Sequence, residues 1–594
     1  MPSKSVEELY KNCTNLDEFY SCITVLHEKV NQAMHKMNQI EPPTSMEESK
    51  ELLMWIYKTE DLVSEITELH SFVLFLSRQN TEDDTKRPLL ADCIKLKNKI
   101  PALLSMLDQL FLGMSESMLK EFLLSKEMRE RSLFYQERLL KTSSKQVNSE
   151  LQNTLRKHMN EDSRSWFDVR QKLVNRISFK LDNTKDETMT GQEALHIMYT
   201  SHPVRSVRKK IKKLFKENVN NDKVLFATVL NQITANTENM NQAFYKEETL
   251  NMSLFQNRLT KRTLNSMTST IDKNLARLIP YYERKAKLLG VETLDEDDLL
   301  APVYSDQPQF TYEEAKELIL QAFSNYSPKL ASFVRNAMEE KWIDSENRSN
   351  KSFIEFCTFL PVSKQSRINI IYKGTLRCMS TLAHELGHAY HYDKLSSKST
   401  FVQHMPLSIA EFSSTFTDFI FLNEMMKQNN TPEIQGLLIE EKLKAITLYI
   451  LRPYTQFLFQ MKLFQARTQG PLSVSQLDDL IVECQRFVYQ DSLGEYNSEQ
   501  WISHNLFYIP DKIFYNYQYM FGYLLSAGIH ALTTNQDFSF NQFANLLEES
   551  GSLPVEDLIL KHVGQDIRED EFWQIAIDYL FQDIDRYLKL TDRQ

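Results

Sequence analysis

Apolar residues recur every three or four positions along most of this chain. Leu89, Leu90, Ile94, Leu96 and Ile100 show the spacing of a helix buried on one face. The same pattern runs from about residue 5 to 340, and helix ends are expected near Pro43, Pro88 and Pro101. The period changes clearly in one place, between Phe353 and Tyr372. There FIEFCTFLP, VSKQS and RINIIY predict two β segments around a polar turn. Helical spacing resumes at Thr375 and continues to the end. Residues 141–165 are polar and mark a lobe boundary or a solvated helix. No repeat of 20–50 residues stands out, which argues against a solenoid.

Composition sharpens this picture. Only 12 of 594 residues are glycine, so few turns need a positive φ and long helices follow. The length allows several cores, which large helical enzymes often merge into two lobes. Lys plus Arg (69) against Asp plus Glu (80) leaves a net charge of −11, which argues against sequence-independent nucleic-acid binding. The six cysteines form no CxxC pair, so neither a disulfide framework nor a thiolate zinc cage is indicated. MPSKSVEELYKN has neither an apolar signal region nor a transit-peptide composition, and no apolar run approaches the ~20 residues of a membrane span. A cytoplasmic protein without a membrane partner is expected, with secretion by a route lacking a classical signal left open.

Chemistry concentrates in the resumed helix, which carries His384-Glu385-Leu386-Gly387-His388. Residues i and i+4 of a helix lie about 40° apart and about 6 Å along the axis, so two imidazoles can converge on one Zn2+. Glu385 stands about 60° round from His388, where it meets a water more readily than the metal. His391 shares the face, but ligands from 384 to 391 would span about 10 Å of axis, too far for one ion. It is expected behind the ligands or at the surface.

A catalytic zinc needs a third ligand and an open position. The next helical segment, Ser408 to Asp418, carries Glu411 inside an apolar pattern, 23 residues after His388. A buried carboxylate without a partner is costly, and ligation would give it a reason to be there. Asp418 and Glu424 are the alternatives. Ser414 and Thr415 could support a ligand from behind or simply pack, and His404 could touch substrate. The isolated His27, His35, His70, His158, His196, His202, His530 and His562 are expected to be packed or superficial.

Together these residues resemble the M3 zinc oligopeptidases, in particular the oligoendopeptidase F branch. Phe356-Cys357, Arg367-Ile368, Tyr372-Lys373-Gly374 and the run Thr381 to His391 follow that branch's strand-and-helix signature. Ala410 to Phe416 resembles its AExxSTF element, and Phe514 to Tyr519 with Gly522 resembles its FYxYxYxxG element. Leu288-Leu289-Gly290, Asp298 to Pro302, Gly551 to Val555 and Gly564-Gln565-Asp566 extend the likeness, which covers roughly residues 145–590. Three features depart from it. Ile354-Glu355 replaces small residues, Cys378 takes a commonly acidic position, and the connection from His504 to Phe514 is long.

The resemblance implies a mainly α, zincin-like fold: a helical ellipsoid of two lobes around a deep channel, with a small β-sheet beside the HExxH helix. It implies an N-terminal helical region (1–140), a linker or lobe element (141–195) and an M3-like catalytic region (196–594). One Zn2+ per chain would be held by His384, His388 and Glu411, with Glu385 as general base toward a metal-activated water. His504 and Tyr519 would grip substrate and stabilise the oxyanion. Tyr519 is favoured over Tyr517 and Tyr515, while Phe514 and Phe521 are expected in the core. Arg367 to Tyr372 is the expected strand edge for an extended peptide. The expected activity is zinc endopeptidase cleavage of short unfolded oligopeptides; a zinc exopeptidase and a helical scaffold with a vestigial site are the alternatives.

Overall fold

The computed structural model describes residues 16–81, 83–143, 149–181, 188–200, 202–244, 248–304, 308–348, 350–352, 354–403, 405–429, 431–534 and 538–592. His404 lies outside these. The described residues are mainly helical, as the apolar spacing predicted, and include five short strands. β1 (Ser178–Lys180) and β2 (Thr188–Thr190) form a hairpin inside the region read as helical. β3 (Ile343–Asp344), β4 (Phe356–Leu360) and β5 (Gln365–Asn369) form a sheet in the order β3-β5-β4. None of the described helices is long and apolar enough to cross a membrane. Cys22, Cys93, Cys357, Cys378 and Cys484 are free thiols.

The chain divides into two compact units. The first is Met1–Ser144, Pro308–Glu424 and Phe538–Val563; the second is Lys145–Gln307, Met425–Asp537 and Gly564–Gln594. The first carries the three-stranded sheet and the HELGH helix, Leu376–Leu395. The second carries the aromatic-rich segment after His504.

Prolines mark boundaries as expected. Pro88 and Pro101 sit in the first turns of helices Lys86–Lys97 and Ile100–Leu112, and Pro43 lies in the connection before Ser49–Gln79. The stretch read as one face is therefore split between two helices. Leu89 and Leu96 are buried in the first, but Ile94 is 43% exposed and Cys93 is buried instead.

The predicted hairpin is present as β4 and β5. Its expected free edge is not. Asn369 and Ile368 of β5 pair with Phe356 and Cys357 on one side and with Asp344 and Ile343 on the other. The Ile370 and Tyr372 N–H groups continue that pairing to the Asp344 and Ser345 carbonyls. The stretch Arg367 to Tyr372 is thus the centre of the sheet, and β4 is a terminal strand. A two-residue strand such as β3 is too short to leave a period of two in the sequence.

The N-terminal helices, which carry no motif, share a core with this sheet. Leu360 of β4 and Phe401 join the apolar cluster of the first 140 residues. The buried Glu68 accepts hydrogen bonds from the Val362 and Ser363 N–H groups at the hairpin turn. Glu60 holds Arg131 through two contacts of 2.6 and 2.9 Å and also accepts from the Ser399 hydroxyl. Glu130 accepts from the Ser399 N–H at 2.9 Å, and Phe134 stacks on Phe401 at 4.5 Å. These contacts anchor the hairpin turn and the loop leading to the Glu411 helix, so the N-terminal region buttresses both elements that flank the HELGH motif.

Candidate metal centre

Thr375 starts the HELGH helix by accepting a hydrogen bond from the Cys378 N–H, the side-chain cap that an initial Thr provides. Helical spacing then sets the His384 and His388 ring centroids 4.9 Å apart. The second helix, Leu407–Gln428, crosses this one at very short range. Gly387 makes that possible. A Cβ there would lie 2.7 Å from the Ser414 Cα and 2.9 Å from the Ser413 carbonyl, and would collide with the Thr417 hydroxyl. The crossing is stitched by two hydrogen bonds to HELGH-helix carbonyls. Ser413 Oγ donates to Gly387 at 2.9 Å, and Thr417 Oγ1 donates to Ala383 at 2.9 Å.

This close approach brings Glu411 to the two imidazoles. One donor atom from each of His384, His388 and Glu411 falls within a group whose members are all within 4.8 Å of one another. The Glu411 carboxylate is 3.6 Å from His384 Nε2. Of the other acids weighed as ligands, Asp418 binds the opposite nitrogen, accepting from His384 Nδ1 at 2.9 Å and from Ser380 Oγ at 3.1 Å. With Nδ1 bonded to Asp418, Nε2 is the nitrogen that faces Glu411. Glu424 instead accepts from Asn325 at 3.2 Å. Sequence spacing offers Asp418 only as an alternative ligand and not in this outer role. One signal is there, since it stands seven residues, two turns, beyond Glu411 on the same helix face.

Electrostatics fit a cation at this point. Burial works to lower the His384 pKa, but Asp418, Glu411 and Glu385 outweigh it and raise it to about 9. Burial, helped by His384 and His391, holds His388 well below its ordinary value, so it stays in the neutral form that a metal takes. Burial raises Glu385 to about 8, against the pull of His384. It also raises Glu411. Glu385 Oε2 is a buried oxygen without a hydrogen-bond partner among the described residues. Two imidazoles, a converging carboxylate and an orphaned carboxylate oxygen alongside form a donor set suited to zinc.

His391 is fully buried, not superficial; its Nε2 lies 2.8 Å from Ser550 Oγ, and it is outside the donor group. Ser414 and Thr415 donate to the Glu411 carbonyl at 3.0 and 2.5 Å, which is ordinary helix packing. Of the isolated histidines, His70 and His530 are buried enough for burial to lower their pKa values to about 4 and about 3. His562 pairs with Glu549 at 2.9 Å.

In the second unit, His504 lies between two amides. Gln456 Nε2 donates to its Nδ1 at 3.2 Å, and its Nε2–H donates to Asn516 Oδ1 at 3.1 Å. Burial lowers its pKa to about 4, so the ring is neutral. The long connection to Phe514 is built from the short turns Asn505–Tyr508 and Pro510–Lys512. Arg170, 1% exposed, holds its start, donating to Asn505 Oδ1 at 2.7 Å and to the Ile502 carbonyl at 3.1 Å. Phe514 and Phe521 are core residues, as expected. Tyr517 is also buried, and Ser253 donates to its hydroxyl at 3.3 Å. Tyr515 and Tyr519 are partly exposed and pack edge to face at 5.5 Å.

Comparison with known proteins bears on the family and the fold. Residues 198–579 match the model of peptidase family M3. Curated relatives include the chromosomal oligoendopeptidase F of Lactococcus lactis subsp. cremoris, 22% identical over 57% of this chain and 57% of that protein. An oligoendopeptidase F homolog of Lactococcus lactis subsp. lactis is 21% identical over 71% of this chain and 70% of that one. The chain thus spans little more than half the length of the first relative. Among solved structures, oligoendopeptidase-F from Enterococcus faecium superposes with a TM-score of 0.69 at 17% identity, over 97% of this chain and 99% of that one. PZ peptidase A with an inhibitor gives 0.71 at 15%, over 95% and 97%. At these identities the structural likeness concerns the fold.

Proposed function

The chain belongs to peptidase family M3, and on that premise we propose that it is a zinc endopeptidase cleaving internal bonds of short, unfolded oligopeptides. The observation that carries this reading is the convergence of His384, His388 and Glu411 with the orphaned Glu385 oxygen beside them. His384, His388 and Glu411 would hold one Zn2+ per chain. Zinc held there would polarise the scissile carbonyl and make a water more acidic.

Glu385 acts as general base, accepting the attacking water's proton on its carboxylate and passing it to the leaving amine. Asp418 keeps the His384 proton on Nδ1 and so maintains the tautomer that ligation needs. An extended peptide would add to the sheet at β4, its terminal strand, whose Cys357 feels the charge of Glu385. Backbone pairing of that kind gives affinity with little sequence selectivity.

His504 and Tyr519 are assigned to substrate contact. Motif order and the partial exposure of both side chains support this. The family resemblance assigns Tyr519 the role of oxyanion donor, so Tyr519→Phe is expected to lower kcat by roughly 10²- to 10³-fold with little change in KM. Steady-state kinetics of the zinc-loaded variant check this, and an unaltered kcat would remove Tyr519 from the role.

The test of the proposal as a whole is cleavage of an internally quenched peptide blocked at both ends, with and without chelator, then with zinc restored. Cutting that stops with chelator and returns with zinc is expected. Cleavage confined to peptides with a free terminus would instead favour an exopeptidase. No cleavage of either kind, with zinc bound, would favour a scaffold.

A further inference from the structure

Side-chain alternation along β4 points Cys357 and Phe359 to one side of the sheet, and Glu355 immediately precedes the strand in the same phase. That side faces the HELGH helix. Phe359 stacks on Tyr392 at 5.1 Å and 3° between planes, and the partly buried Cys357 feels the charge of Glu385. One step further along, just before the strand, Glu355 lies toward the N-terminal half of that helix, where Arg377 and His384 act on it electrostatically. Asn369 Nδ2 donates to the Ile354 carbonyl at 2.8 Å and pins this backbone beside β5. The Glu355 side chain stays open to solvent. It makes no salt bridge with any described residue; Arg377, the Ile371 N–H, Lys373 and His384 all favour its charged form. Its own charge in turn acts on Glu385.

We infer that Glu355 is a specificity-determining residue that selects a cationic side chain on a peptide lying along β4. This inference builds on the peptidase reading for the path of the substrate. A carboxylate at the end of a terminal strand, beside the metal ligands, meets the peptide side chain carried past that point. An acidic side chain there is repelled and a lysine or arginine is attracted. Arg377 and Lys373 are exposed, so solvent screens their effect on Glu355.

The test uses doubly blocked peptides of equal length carrying Lys, Gln or Glu at each position around the cleaved bond. Cleavage is measured with the zinc-loaded native chain, and binding by fluorescence anisotropy with zinc-loaded Glu385→Gln protein. At one position, Lys is expected to exceed Glu by about 5- to 10-fold in both kcat/KM and affinity, the effect of one partly shielded charge pair. Glu355→Gln brings that ratio close to one, and Glu355→Lys inverts it. A ratio identical in all three backgrounds, or a preference for Glu in the native chain, overturns the inference. Charge selectivity in binding without any cleavage would refute the peptidase reading and leave the role of Glu355 standing. Cleavage without charge selectivity would do the reverse.

Discussion

Zinc-loaded Glu385→Gln protein is expected to turn over blocked peptides roughly 10²- to 10⁴-fold more slowly than the native chain, the range for loss of a positioned general base. The amide has the size and shape of the carboxylate it replaces, so packing on the HELGH helix is conserved. It cannot accept the water's proton. Glu385 is also outside the donor group formed by His384, His388 and Glu411, so zinc content should remain at one ion per chain. Metal analysis alongside kcat separates the two effects. Loss of zinc together with activity would mean that Glu385 supports the ligands rather than the proton transfer. Full activity in zinc-loaded protein would end the proposed mechanism.

The second large effect is expected from Gly387→Ala. In an ordinary helix interior this change stabilises by up to ~1 kcal/mol, since glycine is the poorer helix former. Here the added Cβ would sit 2.7 Å from the Ser414 Cα and 2.9 Å from the Ser413 carbonyl. These are backbone atoms of the facing helix and cannot rotate away. Forced overpacking of this kind costs ~1–3 kcal/mol or more, so the net sign is destabilising. Relief comes only if the two helices separate, and that moves Glu411 away from His384 and His388. A lower melting temperature and at least tenfold weaker zinc binding are expected, read by thermal unfolding and by competition with a chromogenic chelator. Adding Thr417→Ala removes one collision but leaves both backbone contacts, so it should restore little. A Gly387→Ala protein as stable and zinc-competent as the native chain would show that the crossing does not set the site.

Local spacing makes several features legible in the sequence. The His384–His388 pair follows from the geometry of one helix turn, and the β4–β5 hairpin from a change of period. The aromatic excess after His504 locates a second region of interest, but position alone does not rank its tyrosines. Burial does part of that work, since Tyr517 is enclosed while Tyr515 and Tyr519 keep partial exposure. The edge expected at Arg367 to Tyr372 fails for a related reason. That stretch has the composition of an edge or a centre equally well, and only its pairing with residues 343–345 decides between them.

The sequence by itself determined the helical class, the axial spacing of the two imidazoles and the flanking place of Glu385, because each depends on neighbours within about one helical turn. Tertiary structure decided which acid serves which nitrogen. Glu411, Asp418 and Glu424 all lie on one helix, and their roles diverge only through the close crossing that Gly387 permits. Tertiary structure likewise gave the motif-free N-terminal helices their part, through Glu60, Glu68 and Glu130 acting on residues about 270 to 340 positions away. Contacts of that separation leave no periodic trace, since they depend on how finished elements pack and not on the spacing within any one of them.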